Sequence, residues 1–205
     1  VTASSTSGSI ETRGVKVEEV LPDLPLDEFI ELQWRMNRAD PNWVPPLRMA
    51  VRTALDRGKH PFHKHAEVAY FIARREGEAV GRIAAIANHL HIEFHEDRIG
   101  FVGLFESIDD TAVARALMDA AAAWLRQRGM NAIRGPVNFS TNEEISSPGT
   151  LVDGFDSRPM AMMSHNPAYY GSLLEATGLR KEKDLLAFYL DDPTPPERLV
   201  SGMAR

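Results

Sequence analysis

The chain has 205 residues, 43% hydrophobic and 25% charged, a composition typical of a globular protein with one domain. Its net charge of −6 is opposite in sign to that of general nucleic-acid or anionic-membrane binders. It contains no cysteine, which excludes disulfides, thiol nucleophiles and thiolate metal sites. No apolar run reaches the roughly 18 residues that a membrane-spanning helix needs, and no signal peptide is recognisable. We therefore expect a cytoplasmic protein without nucleic-acid or membrane partners.

The first half of the chain predicts a strand, two helices and a hairpin. Residues 1–14 are mostly small and polar, so we expect a disordered tail. Apolar and polar residues alternate over Val15–Val20, which predicts a strand. Apolar residues at helical spacing predict helices over about 26–38 and about 47–58. Two strand-like runs around a glycine turn predict a β-hairpin over 67–87.

The second half predicts a long helix between strands. Ile99–Glu106 is strand-like, and its glycines indicate a bulge or a close approach to the backbone. Asp109, Asp110 and Thr111 offer N-cap chemistry for a helix that ends at Gly129. The remaining predictions, in chain order, are a strand at 131–139, a loop at 140–163, a helix at 167–177, a strand at 184–190, and a linker or stub at 191–205.

This element order indicates an α/β (α+β) fold with an antiparallel first half. Together with Phe101–Glu106 before the long helix, it resembles the GNAT (GCN5-related N-acetyltransferase) superfamily. Three segments also resemble a bacterial GNAT-like branch: Gly135–Ser140, Leu151–Phe155 and Asn166–Tyr170. The resemblance implies a mixed, mostly antiparallel central sheet flanked by helices, with an acyltransferase domain at residues 15–190.

The resemblance also implies that acetyl-CoA or another acyl-CoA is the acyl donor. GNAT enzymes hold the donor's pyrophosphate on backbone N–H groups at the start of the long helix, where the helix dipole favours an anion. At that position this chain has Asp109 and Asp110, two carboxylates that oppose a diphosphate. The residues expected to contact the coenzyme are Leu104, Phe105, Thr111, Ala112, Ala114 and Asn166.

Two residues are candidates for proton transfer. Glu106 resembles the glutamate base of some family members, although it could equally be a solvent-exposed carboxylate at the end of a strand. The position of the usual acid, a tyrosine in many GNAT enzymes, holds Leu174. Tyr170 lies about one turn earlier and is the candidate acid, unless Tyr169 and Tyr170 only pack or line the cleft.

The strand end and loop after Pro136 are candidates for binding a small polar substrate. Small hydrogen-bonding side chains there suit recognition of polar groups. Alternatively, these side chains cap turns and satisfy the backbone of the loop itself. The expected substrate-binding residues are Asn138, Ser140, Asn142, Glu143 and Tyr169.

Three function classes remain open. The leading one is an N-acyltransferase with a modified coenzyme loop. The second is a catalytically inactive GNAT-fold module that binds a small polar ligand or a protein partner. The third is a metal enzyme using the histidines of 60–65 or 89–95, although these also fit a polar rim, and we assign no metal ligand. A homodimer or a second GNAT-like half could complete the C-terminal edge of the sheet.

Overall fold

A computed structural model describes residues 10–12, 14–139, 145, 148–188 and 194. Within these residues, no helix is both long and apolar enough to cross a membrane. In the described part of the chain, six strands form one sheet in chain order, and every neighbouring pair is antiparallel except the last, β5 with β6. The strands are β1 Ile10–Thr12, β2 Val15–Val20, β3 Ala66–Arg75, β4 Glu78–Asn88, β5 Ile99–Ser107 and β6 Ala132–Arg134.

Helices cover both faces of the sheet. A short 3-10 helix at Pro61–Lys64 precedes β3. The α-helices are α1 Asp27–Asn37, α2 Arg48–Leu55, α3 His89–His95, α4 Thr111–Gln127 and α5 Tyr170–Ala176. Because α4 crosses from the end of β5 back to the start of β6, these two strands run parallel. The mixed, mostly antiparallel fold predicted from the sequence is confirmed.

The sheet separates two apolar cores. The apolar stripe of α4, including Val113, Leu117 and Leu125, packs with α5 on one face. The buried side chains of α1 and α2, such as Phe29 and Leu55, pack on the other face. Strands β3 and β4 contribute to both cores, so nearly all of their central residues are buried. The C-terminal ends of α1 and β5 and the start of α5 are thereby held close together.

A bulge interrupts β5 beside its centre. Arg82 pairs with Glu106 and Ala84 with Gly103, so two residues of β5 lie opposite a single residue of β4. The bulged Leu104 has a φ of +50°. A side chain at Gly103 would lie 2.3 Å from the carbonyl oxygen of Val137, which explains the glycine. The glycine pattern thus correctly indicated both an irregular strand and a close approach.

Several local predictions need correction. The strand expected at 131–139 ends at Arg134 after three pairs with β5, although the N–H of Val137 still donates to the Val102 carbonyl at 2.8 Å. Residues 184–188 of the expected last strand form no strand, and 189–190 lie outside the described residues. For the histidine segment 89–95 no helix was predicted, but it is helical, since the Asn88 side chain accepts the N–H of His91 and starts α3. Within the tail expected at 1–14, Ile10–Thr12 pair with β2.

Candidate functional site

Glu106, near the end of β5, is a buried carboxylate with partners from two helices. Its Oε2 accepts a hydrogen bond of 2.7 Å from the Tyr170 hydroxyl at the start of α5. The same oxygen accepts one of 3.1 Å from Nδ2 of Asn37 at the end of α1. Glu106 is only 6% exposed, so the alternative of a solvent-exposed carboxylate at the strand end is wrong. The two predicted catalytic residues, Glu106 and Tyr170, are in direct contact.

Arg82, opposite Glu106 on β4, supplies the counter-charge. Its Nη2 lies 3.6 Å from Oε1 of Glu106, and its Nη1 donates to the Phe29 carbonyl at 2.6 Å. The guanidinium also lies 4.8 Å from the centre of the Phe29 ring. Nε and Nη2 have no hydrogen-bond partner in the part of the chain that the structure describes. The result is a fully buried cation with unused donors beside a buried carboxylate.

Burial dominates the electrostatics of this cluster. Desolvation raises the pKa of Glu106 above its ordinary value, although Arg82, Tyr170 and Asn37 each act to lower it. Desolvation likewise raises the pKa of Tyr170 well above its ordinary value, and the charge of Glu106 raises it further. Glu106 is therefore a better proton acceptor than an exposed glutamate, while Tyr170 by itself is a weak acid.

The two adjacent tyrosines fix the peptide of Ser107. The Tyr170 hydroxyl accepts the Ser107 N–H at 3.1 Å, and the Tyr169 hydroxyl donates to the Ser107 carbonyl at 2.8 Å. The Tyr170 ring also packs edge-on against Phe105, with the ring centres 5.2 Å apart. Phe105 faces the α4 core, whereas Leu104 faces the opposite core. Tyr169, expected to bind substrate, thus positions the end of β5.

The backbone N–H at the bulge of β5 is satisfied by a side chain. The N–H of Leu104 donates to Oδ1 of Asn138 at 2.7 Å, and Nδ2 of Asn138 donates to the Ile145 carbonyl at 2.8 Å. Asn138 therefore links the bulge of β5 to the chain after β6. The other loop residues expected to bind substrate, Ser140, Asn142 and Glu143, lie outside the described residues.

The start of α4 is capped by a carboxylate. Oδ1 of Asp110 accepts the N–H groups of Ala112 at 2.7 Å and Val113 at 3.3 Å. Oδ2 of Asp110 pairs with Arg75 at 2.8 Å. Partial burial opposes ionisation, but the bonds from Arg75 and the two N–H groups outweigh it and lower the pKa of Asp110.

A diphosphate at the start of α4 would compete with this cap for the same N–H groups. It would have to displace the Asp110 carboxylate from the N–H groups that GNAT enzymes are expected to use. Thr111 is exposed there, whereas the Ala114 side chain is buried in the core. Asn166, also expected to contact the coenzyme, holds the loop that precedes it: its Oδ1 accepts the Leu151 N–H at 2.7 Å.

A second acid–base pair, not found from the sequence, joins the α1–α2 turn to the segment before α5. Nε2 of His165 lies 2.8 Å from Oδ2 of Asp40. The hydrogen bond from His165 and the backbone N–H of Asn42 lower the pKa of Asp40, although partial burial opposes this. These residues are 125 positions apart, and no motif links them, so only the fold reveals the pair.

The other histidines make separate contacts. His63 is bonded through Nε2 to the Ala54 carbonyl at 3.2 Å, and His91 lies 3.2 Å from Asp97. Across the described residues, no group of three histidine, aspartate or glutamate side chains is placed to hold a metal ion. The histidine clusters therefore provide no support for the metal-enzyme hypothesis in this part of the chain.

Two bacterial proteins are similar to this chain in sequence. The chain is 44% identical over 168 residues to "Bacterial ceramide synthase" of Caulobacter vibrioides, covering 82% of this chain and 43% of that protein. It is 37% identical over 165 residues to "Protein YghO" of Escherichia coli K12, covering 80% of this chain and 41% of that protein. The chain thus spans less than half the length of these bacterial relatives.

Solved structures show the same architecture. An aminoglycoside acetyltransferase from an uncultured soil metagenomic sample, in complex with sisomicin, matches with a TM-score of 0.50 and 14% identity, covering 86% of this chain and 95% of that one. Its complex with trehalose gives a TM-score of 0.51 at the same identity and coverage. The model of the GNAT acetyltransferase family matches residues 26–143, more than half of the sequence. The chain belongs to the GNAT acetyltransferase family.

Proposed function

We propose that residues 15–190 form an N-acyltransferase domain, working in the cytoplasm, that transfers an acyl group from an acyl-CoA to an amine. The observation that carries this proposal is the buried contact of 2.7 Å between Glu106 and Tyr170 at the end of β5. Membership of an acetyltransferase family supplies the reaction class. The bulge at Leu104 supplies a backbone N–H beside this pair, at which a thioester carbonyl could replace Asn138.

In this proposal Glu106 and Tyr170 act as one proton relay. Glu106, with its raised pKa, accepts the proton that the amine nitrogen loses as it attacks the thioester carbon. Tyr170 then passes its own proton to the departing thiolate and is reprotonated by Glu106, since the two oxygens are already hydrogen-bonded. The relay removes the need for Tyr170 to act as a strong acid by itself.

The acceptor class that we propose to test first is a long-chain amino alcohol. A relative 44% identical over most of this chain is named a ceramide synthase, and a ceramide is a fatty-acid amide of a long-chain amino alcohol. Apolar side chains that could contact a hydrocarbon are exposed in the segment before His165: Val152, Met160, Met162 and Met163. A small polar amine, as the aminoglycoside acetyltransferase likeness suggests, is the alternative acceptor.

A second candidate function, a module without acyl transfer, is favoured by the cap of α4. Asp110 occupies N–H groups that would otherwise receive a diphosphate.

A related proposal concerns the edge of the sheet. Because β6 has three residues and Leu185, Leu186 and Phe188 are exposed, we propose that a second GNAT-like half or a second copy of the chain packs there.

The test is a matrix of donors and acceptors analysed by mass spectrometry. Acetyl-CoA and palmitoyl-CoA are each incubated with sphinganine and with sisomicin, with wild-type protein and with Glu106→Gln. The proposal predicts an amide with at least one pair of substrates and at least 100-fold less product with Glu106→Gln. If neither donor binds or reacts, the module without acyl transfer is the better account.

A further inference from the structure

We propose that His165 is the base that deprotonates the acceptor's ammonium group, and that Asp40 positions it. The inference rests on the proposed acyl transfer and concerns a step before the Glu106–Tyr170 relay. An amine is a nucleophile only after its ammonium form has lost a proton. A base near the acceptor is therefore required in addition to a path for the second proton.

The contacts of Asp40 fix the protonation pattern of the imidazole. Oδ2 of Asp40 lies 2.8 Å from Nε2 of His165, and Oδ1 accepts the Asn42 N–H at 2.8 Å. An ionised carboxylate only accepts hydrogen bonds, so Nε2 must carry the proton of the neutral ring. Nδ1 is then left with a lone pair, the state required of a proton acceptor. Asp40 is held from both oxygens and orients the ring.

Nδ1 of His165 is buried without a partner among the residues described. The His165 side chain is 4% exposed, and Nδ1 has no hydrogen-bond donor within reach in that part of the chain. Buried polar atoms in folded proteins nearly always have a partner, so a buried nitrogen without one requires an explanation, and a catalytic role is one of them. His63, in contrast, uses its Nε2 to bind the Ala54 carbonyl and fits a structural role. The missing partner at Nδ1 is one that a bound ligand can supply.

Asp40 and His165 each lie close in sequence to a residue that contacts or belongs to the Glu106–Tyr170 relay. Asp40 follows Asn37 by three residues, and Asn37 donates to Glu106. His165 precedes Tyr170 by five residues, and Tyr170 donates to the same carboxylate. The same two segments therefore carry both acid–base pairs. The charged group in contact with His165 in the described structure is Asp40, and the neighbouring Asn166 is committed to Leu151 and Pro167.

The proposed step balances as follows. The ammonium gives one proton to Nδ1 of His165 and leaves a neutral amine and an imidazolium stabilised by Asp40. The amine nitrogen then forms a bond to the thioester carbon, and the carbon–sulfur bond breaks. The second nitrogen proton goes to Glu106, and the thiolate receives one through Tyr170. Imidazolium finally releases the first proton to water. Because Nδ1 is buried, the proposed step requires that the acceptor displace the groups that cover it.

The variant His165→Gln tests the step, because its amide can still donate to Asp40 while the base is removed. We expect kcat/KM at neutral pH to fall about 100-fold with KM for the acyl-CoA unchanged. We also expect activity to rise with pH toward the pKa of the amine, where free amine no longer needs a base. Asp40→Asn should lower kcat/KM in the same direction. The control is His63→Gln, which removes another partly buried histidine and should keep the wild-type pH profile.

A measurement without turnover separates this inference from the proposed function. In ¹⁵N spectra of the imidazoles, the signals lost in His165→Gln identify His165. They should show an Nε2-protonated ring whose Nδ1 signal shifts when sphinganine or sisomicin is added. If wild-type protein forms no amide product, the proposed function is wrong. The ¹⁵N spectra still test whether Nδ1 of His165 is unprotonated and responds to an added amine. An Nδ1-protonated ring, an Nδ1 signal that neither amine moves, or His165→Gln with the wild-type pH profile overturns the inference.

Discussion

The Tyr170 hydroxyl lies 2.7 Å from Oε2 of Glu106 and at the same time accepts the Ser107 N–H at 3.1 Å. The hydroxyl donates its one hydrogen to the Glu106 carboxylate, so a buried hydrogen bond joins the two side chains and offers a path for proton transfer. This contact ties α5 to the end of β5. The same two atoms therefore contribute to the stability of the fold and to the proposed proton transfer.

Tyr170→Phe should therefore reduce stability as well as activity. It leaves the Ser107 N–H without its acceptor and removes one donor from Oε2 of Glu106, which costs about 1–3 kcal/mol of unfolding free energy. Urea unfolding measures this loss, and the amide assay measures the loss of activity. Tyr169→Phe is the matched control, since it removes a bond to the same peptide without touching Glu106. Equal losses of activity in both variants would argue against the relay.

Replacing Arg82 alone should lower the free energy of unfolding more than replacing Arg82 and Glu106 together. Arg82→Met leaves Glu106 as a buried carboxyl without a counter-charge, with an expected cost of about 3–5 kcal/mol. The double variant Arg82→Met with Glu106→Gln removes the charge mismatch and should recover part of that free energy. Chemical denaturation of the two single variants and the double variant measures the coupling. Strictly additive losses would show that the two groups do not interact.

The pH dependence of stability should carry the signature of Glu106. Burial raises its pKa in the folded state, so the folded protein binds this proton more tightly than the unfolded chain. Between the unfolded-state value near 4.5 and the folded-state pKa, the free energy of unfolding therefore falls as pH rises. Glu106→Gln should lose this slope, which urea titrations across the acidic range can measure. A wild-type slope retained in Glu106→Gln would assign it to another group.

Asp110→Asn should increase affinity for coenzyme A. Asparagine caps helices as well as aspartate does, so α4 should keep its start, while the charge that opposes a diphosphate is removed. One close like-charge contact costs on the order of 1 kcal/mol near a surface, so we expect an affinity gain of about five- to tenfold. Calorimetric titration with coenzyme A measures it. Asp109→Asn, at the exposed neighbour, should have a smaller effect, and unchanged affinity in both variants would refute the electrostatic explanation.

Local patterns predicted the elements whose signals are contained in a few adjacent residues. The cap at Asp110 and the apolar stripe up to Leu125 located α4 correctly. The β3–β4 hairpin also followed from alternation and a glycine turn. In α3, by contrast, no helix was predicted, although the Asn88 side chain caps a short exposed helix there.

The site depends on information that no local pattern contains. Arg82 faces Glu106 only because the bulge at Leu104 shifts the register of β4 and β5. Asp40 and His165 meet only because α1 and the segment before α5 pack at the same end of the sheet. Glu106 was identified from its resemblance to a family position, and Tyr170 because it lies about one turn before the usual acid position, but their direct contact required the fold.

The most direct test of acyl transfer is the stoichiometry of thiol release and amide formation. The protein has no cysteine, so a thiol reagent such as Ellman's detects only released coenzyme A, with no background from the chain. The account predicts one thiol per amide with wild-type protein, and a loss of both signals in Glu106→Gln, whose volume is nearly unchanged. Thiol release without amide, or equal rates in wild-type protein and Glu106→Gln, would contradict it.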